Sequence, residues 1–282
     1  MTKLLKKTYK EHRQYLHDIA RLQLWFTWWW KQNNVDESFR LILRQRVDIY
    51  RKTNINKGTM NSKTDFENLE WLDLERQLAE LYQKYSSSGE SSMFEDEAFL
   101  VVQATIDARS RRDYEERPYV LDYQCGSLKY DKPGEEHPKR VNFHIANAVS
   151  PQSIFADKKY LPQCFMDLMN KSAAEYGADS LCTNTWLNLH PRWLKLFPSE
   201  WTVNMKPENK NVQWHFGFWG QFITARGTFN TRLGRQLRET GEFPFWPRPS
   251  WCSFESLQKH LSGILSEGIQ ARSDQSNTLD SK

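Results

Sequence analysis

The sequence predicts an α+β protein. A helical N-terminal region, residues 1–116, is expected to pack on a mixed, largely antiparallel sheet domain, residues 117–268, followed by a polar, disordered tail at 269–282. Three observations carry this expectation. Apolar residues recur at helical spacing from about Lys6 to Glu116, and the period shortens to the alternation of strands after Pro118. With 39% hydrophobic against 26% charged residues, a chain of 282 can bury one large core or two modest ones.

In order, Leu16, Ile19, Ala20 and Leu22 mark a first helical stripe, Phe39, Leu41, Ile42 and Val47 a second, Trp71, Leu72, Leu74, Leu78 and Leu81 a third, and Ala98 to Ile106 a fourth. Asp36 is the expected N-cap of the second helix and Thr64 or Asp65 that of the third, because a short polar side chain can accept from the free amides of a first turn. Trp25, Trp28, Trp29 and Trp30 lie mostly at i, i+3, i+4 spacing and read as core or interface packing. Beyond Pro118, Tyr119–Cys125 and Arg140–Asn147 read as strands of a hairpin joined through the turn residues Asp131–Gly134. Tyr160–Tyr176 reads as a helix ended by Gly177, Ser180–Leu187 as a strand, and His190–Phe197 as a helix with Pro191 in its first turn. Gln213–Ile223 fits a strand or a buried helix, Thr228–Arg238 a basic amphipathic helix, and Ser253–Leu265 a last helix.

Several function classes are disfavoured at once. A formal charge of +4 is far from the basic loading of a dedicated nucleic-acid binder, and lysines are scarce between Asn211 and Cys252 where the aromatics lie, so nucleic acid is not the expected partner. Cys125, Cys164, Cys182 and Cys252 show no zinc-binding spacing. The N-terminus lacks an apolar core with a cleavage site, and Leu22–Trp30 is too short to span a bilayer, so a cytoplasmic chain with reduced thiols is expected. The Glu-x-x-His pairs of di-iron bundles are absent, and His12 and His17, five residues apart, read as surface or packing residues.

Candidate chemistry concentrates in residues 142–252, which hold three of the seven histidines and seven of the twelve tryptophans. Aromatic walls that exclude water around a few polar groups suit a small-molecule pocket. Strand alternation puts Asn142 and His144 on one face, where a buried neutral imidazole would serve as a general base, and the competing reading is a core histidine bonded to backbone. His215 sits between Trp214 and Phe216, followed by Trp219 and Gln221, and the rings would desolvate it and favour its neutral form. Asn147 and Trp186 are further expected contacts. Arg226 and Arg235 are expected near an anionic group, and the competing reading of the strip Arg226, Arg232, Arg235 and Arg238 is a solvated helix face. Two histidines with Asp122 would make an iron or zinc facial site, and Cys125 and Cys182 are alternative nucleophiles.

Hairpin, long helix, strand and shorter helix over residues 119–201 resemble a segment of the GNAT acyltransferase superfamily. Tyr176–Asp179 leading into a strand, then Asn188 and a helix with Leu196 and Phe197, is similar to that family's helix-strand-Asn-helix passage. The resemblance implies acyl transfer to a small amine, with an acyl-CoA as the possible cofactor. The chain departs from the family after Val149, where Ser150–Phe155 has no glycine in place of the glycine-rich pyrophosphate loop. The expected function is therefore a small-molecule metabolic enzyme, first of all an acyltransferase with His144 or His215 as general base. The alternatives are a metal-dependent or acid-base isomerase, lyase or oxygenase using His144, His215 and Asp122, and a non-catalytic module that binds a ligand or nucleic acid. Cofactor identity and oligomeric state stay open.

Overall fold

The computed structural model describes residues 7–56, 66–116, 124–211 and 213–276, with side chains through 266. The chain is α+β, 58% helical with a four-stranded mixed sheet. Its elements are α1 (Tyr9–Asn33), α2 (Phe39–Gln45), α3 (Ile49–Lys52), α4 (Leu69–Ser86), α5 (Ser91–Glu116), β1 (Leu128–Tyr130), β2 (Arg140–Ile145), α6 (Tyr160–Tyr176), β3 (Ser180–Thr185), α7 (Pro191–Leu194), α8 (Ser199–Val203), α9 (Thr231–Thr240), β4 (Arg248–Ser253) and α10 (Phe254–Ser276). No helix among the described residues is long and apolar enough to cross a membrane. Two compact units share the chain. A helical unit comprises Met1–Tyr119 and Asn211–Pro244, and a sheet unit comprises Val120–Lys210 and Phe245–Lys282. The aromatic segment at 211–244 thus belongs with the helical front, not with the sheet that surrounds it in sequence.

In the helical unit, Thr8 and Glu11 start α1 as a reciprocal capping box, each satisfying an amide of the other. One face of α1 then buries Leu16, Ile19, Ala20, Leu22 and Phe26 alongside Ala98, Val102 and Ile106 of α5. The two helices are also joined by polar side chains. His17 Nε2 lies 2.6 Å from Asp107, which Arg13 grips at 2.7 Å through two nitrogens, and His12 Nε2 lies 3.2 Å from Asp113, which Arg109 holds at 2.5 Å. Both histidines are therefore packing residues. Ser38 caps α2 in place of Asp36, because its hydroxyl lies within reach of the Leu41 amide. Asn68 caps α4, and Thr64 and Asp65 fall outside the described residues.

Segment 211–244 contributes a 3-10 turn, Phe216–Phe222, where a strand or buried helix is expected. Its two glycines and close aromatic spacing suit the tighter turn, which buries Phe216, Phe218, Trp219 and Phe222. The Trp219 indole donates to Arg46 O at 2.9 Å, and Phe26 meets Trp219 and Phe243 edge-on. Gly241 ends α9 in the left-handed region, at φ 69°, and a Cβ there would stand 2.0 Å from the Trp29 ring. The tryptophan stripe of α1 is thereby locked into this unit's own core.

In the sheet unit the strand order is β1-β2-β3-β4, with antiparallel outer pairs and a parallel β2/β3 pair. The hairpin exists, but its first strand is Leu128–Tyr130, and of the expected Tyr119–Cys125 only Gln124 and Cys125 lie within the described residues. Helix α6 matches its expected limits, ended by Gly177 at φ 63°. Strand β4 is missed by pattern because Pro247 and Pro249 punctuate it, and as an edge strand it tolerates a residue without a ladder donor. Helix α10 continues through Ser276, past the expected end at Leu265 and into residues expected to be a disordered tail. The buried sheet face carries Leu128, Val141, Phe143, Leu181 and Cys252 against α6, α10 and the rings of Trp193, Phe197 and Trp201.

One buried amide ties this core together. Asn188 is 1% exposed, accepts from the indoles of Trp193 at 3.0 Å and Trp201 at 3.2 Å, and donates to Arg248 O on β4 at 2.6 Å. Asn188→Leu keeps the volume and strands three polar groups, each worth roughly 1–3 kcal/mol when buried unpaired. Denaturant unfolding of the full chain should show a loss of about 3 kcal/mol or more, and a loss under about 1 kcal/mol would show that other partners replace the amide.

Burial pulls the His12 pKa below its usual value, and the Asp113 carboxylate only partly offsets this. The folded state therefore holds His12 neutral below pH 6.5, where the unfolded chain takes up a proton, so the stabilisation is full above 6.5 and is lost as pH falls through the depressed value. Amide hydrogen exchange corrected for intrinsic rates should show protection of α1 and α5 falling between pH 7 and 5. His12→Gln should flatten that dependence.

Candidate functional site

The pleat that buries Val141 and Phe143 puts Arg140, Asn142 and His144 on the opposite face of β2. Register extends that face across the sheet: Arg140 stands beside Ser180, Asn142 beside Cys182, Cys182 beside Trp251 and Asn184 beside Pro249. The parallel pairing stops at Asn142 and Cys182, although β2 continues to Ile145 and β3 to Thr185. Beyond that point β2 stays with β1 and β3 with β4, so the two central strands part. No ladder bond joins 143–145 to 183–185.

His144 stands at this parting. Its Nε2 lies 2.5 Å from Asp131 Oδ2, and the Asn142 amide nitrogen lies 3.5 Å from the same oxygen and 3.3 Å from Nε2. Asp131 is placed by the hairpin, its N–H donating to Asn142 O at 2.9 Å one step beyond the Tyr130–Phe143 pair. A carboxylate beside Nε2 favours the tautomer that carries its proton there, with Nδ1 as the acceptor. His144 is 44% exposed on its side chain, so the expected buried imidazole is instead an accessible one.

The other candidates divide between the units. Asp122, expected as the carboxylate partner, lies outside the described residues, and Asp131 is the carboxylate that meets His144. The turn residues alone do not give this pairing, because the register that sets Tyr130 opposite Phe143 is centred between Glu136 and His137 and not on the 131–134 turn. Asn147 organises the loop after β2, accepting from Val149 N and donating to Gln152 O. Trp186 stacks on Phe245 at 5.8 Å within the sheet unit. His215, Trp214, Trp219, Gln221, Arg226 and Arg235 all belong to the helical unit. Burial lowers the His215 pKa. Trp214 takes a left-handed φ of 64°, its N–H on Gln45 O, while Trp219 and Gln221 fill the core. Arg226 lies near Glu11, Arg235 is exposed, and the last arginine of the strip, Arg238, is engaged by Glu95 at 2.5 and 3.0 Å. Burial pushes the Cys125 thiol up to about 11 and raises that of Cys182 as well, which suits neither to nucleophilic attack.

Six backbone amides of the loop between β2 and α6, groups of the kind a diphosphate binds, are already bonded: Ala146 N to Ser127 O, Ala148 N to Ser127 Oγ, Val149 N to Asn147, Gln152 N to Val149 O, Phe155 N to Ser153 Oγ and Ala156 N to Ser153 O. Pro151 has none to offer. Among the described residues no group of three or more His, Cys, Asp or Glu side chains is arranged to hold a metal ion. Comparison with family models, with curated proteins and with solved structures returns no match.

Proposed function

We propose that the sheet unit transfers an acyl group from an activated ester to a small amine, with His144 as general base. The observation that carries this reading is the His144–Asp131 pair standing where two parallel strands part. The unpaired strand edges offer N–H and C=O groups along which an extended, amide-bearing acyl donor could bond, as an added strand does. The amine attacks the acyl carbon, the C–N bond forms as the bond to the leaving group breaks, and the amine proton passes to His144 Nδ1 and on to the leaving group. Asp131 stabilises the imidazolium that forms in between. No part of this chemistry relies on a nucleotide diphosphate.

The direct test incubates the full chain with acyl thioesters of N-acetylcysteamine and a panel of primary amines, following thiol release and amide mass. His144→Gln should lower kcat at least about a hundredfold, the lower range of general base catalysis, with an unchanged melting temperature. Asp131→Asn should lower kcat less and leave KM for the amine unchanged. Absence of amide with every pair, or a fully active His144→Gln enzyme, would overturn the proposal.

A further inference from the structure

The face that carries His144 also carries a guanidinium with no carboxylate partner among the described residues. Arg140 lies 4.1 Å over the ring of Trp251, and its buried Nε has no hydrogen-bond partner. Its side chain makes no ion pair or hydrogen bond among the described residues. Elsewhere the chain satisfies such groups with carboxylates: Arg13 grips Asp107, Arg44 grips Glu75 and Arg238 grips Glu95, each through two nitrogens. A guanidinium fork already held on an indole is shaped for a planar, bidentate anion.

A second unpartnered atom lies on the same face. Asn184 Oδ1 is buried without a donor among the described residues. Asn184 follows Cys182 by two residues, as His144 follows Asn142, so these two residues head the two lips of the parted strands. The face therefore offers a base and a hydrogen-bond acceptor at one end and an unpaired cation at the other. Three strand residues lie between Arg140 and His144, so their Cα atoms stand about 13 Å apart along β2.

We infer that the acceptor of the proposed reaction carries a carboxylate several bonds away from its amine, with the carboxylate held by Arg140 and the amine held between Asn184 Oδ1 and His144. This deepens the acyl-transfer reading and rests on it for the role of the amine. An ω-amino acid and a short peptide share this chemistry. An α-amino acid, with its two groups on one carbon, is too short to reach both ends.

The test is calorimetric binding of 6-aminohexanoate, 6-aminohexanamide and glycine to the full chain, in the absence of any donor. The expected result is at least tenfold tighter binding of 6-aminohexanoate than of either comparator, and loss of that preference in Arg140→Gln with an unchanged melting temperature. Equal binding of acid and amide, no binding of either, or a preference that survives in Arg140→Gln would overturn the inference. Should Arg140→Gln not fold, the comparison of acid with amide on the natural chain decides alone. Preferential binding of the acid without amide formation would count against acyl transfer only. Amide formation without that preference would count against the carboxylate only.

Discussion

The sheet unit depends on the amide of Asn188, which sits where β3 has ended, two indoles converge and β4 passes. Its carbonyl oxygen takes both tryptophan N–H groups and its nitrogen gives to the Arg248 carbonyl, so one side chain fixes α7, α8 and the edge strand together. Without it the aromatic core would have to bury polar indole nitrogens unpaired, and the rings of Trp193, Phe197 and Trp201 could not pack at the centroid distances of 4.0–5.1 Å seen between them. β3 is anchored at this end, and the parting of β2 from β3 occurs against that fixed reference.

Two uses of charge distinguish the units. In the helical unit, buried or half-buried charges are matched: Glu75 is fully buried yet receives Arg44 and the Trp71 indole, and Asp48 receives Lys52 and Gln23. Removing one member of such a set leaves an uncompensated charge, which makes these contacts structural. On the sheet face the balance is incomplete. Among the described residues His144 has a partner on one ring nitrogen alone, Arg140 has no carboxylate and Asn184 Oδ1 has no donor. That asymmetry, more than any single residue type, separates the candidate site from the networks that hold the helices.

The helical period of residues 6–116, the exact limits of α6 and the placement of Asn142 and His144 on one face were all legible, because each rests on local periodicity or on a glycine at a helix end. Local pattern could not show which carboxylate His144 meets, since that depends on the hairpin register; Asp131 reads locally as turn punctuation. Strand β4 was hidden by its prolines, which count against a central strand but not against an edge. The aromatic run at 214–222 has the pattern of a pocket wall, and hydrophobic pattern alone cannot tell a ring that lines a cavity from one that fills a core. Arg140 is hidden for a related reason: an arginine beginning a strand has the pattern of a solvated residue, and that it lacks a carboxylate among the described residues is a fact of three dimensions.

Segment 211–244 interrupts the sheet unit, and this has a consequence for how the protein is made. β3 pairs with β4 across a gap of more than sixty residues, most of which build the other unit. Such non-local pairing forms late, because chain-closure entropy must be met before the ladder repays it. During synthesis β3 therefore waits with an open edge until Arg248–Ser253 leaves the ribosome, at a stage when an unpaired strand can capture a foreign one. The yield of soluble chain should therefore be governed less by the stability of either finished unit than by how quickly the intervening segment settles and delivers β4 to its neighbour.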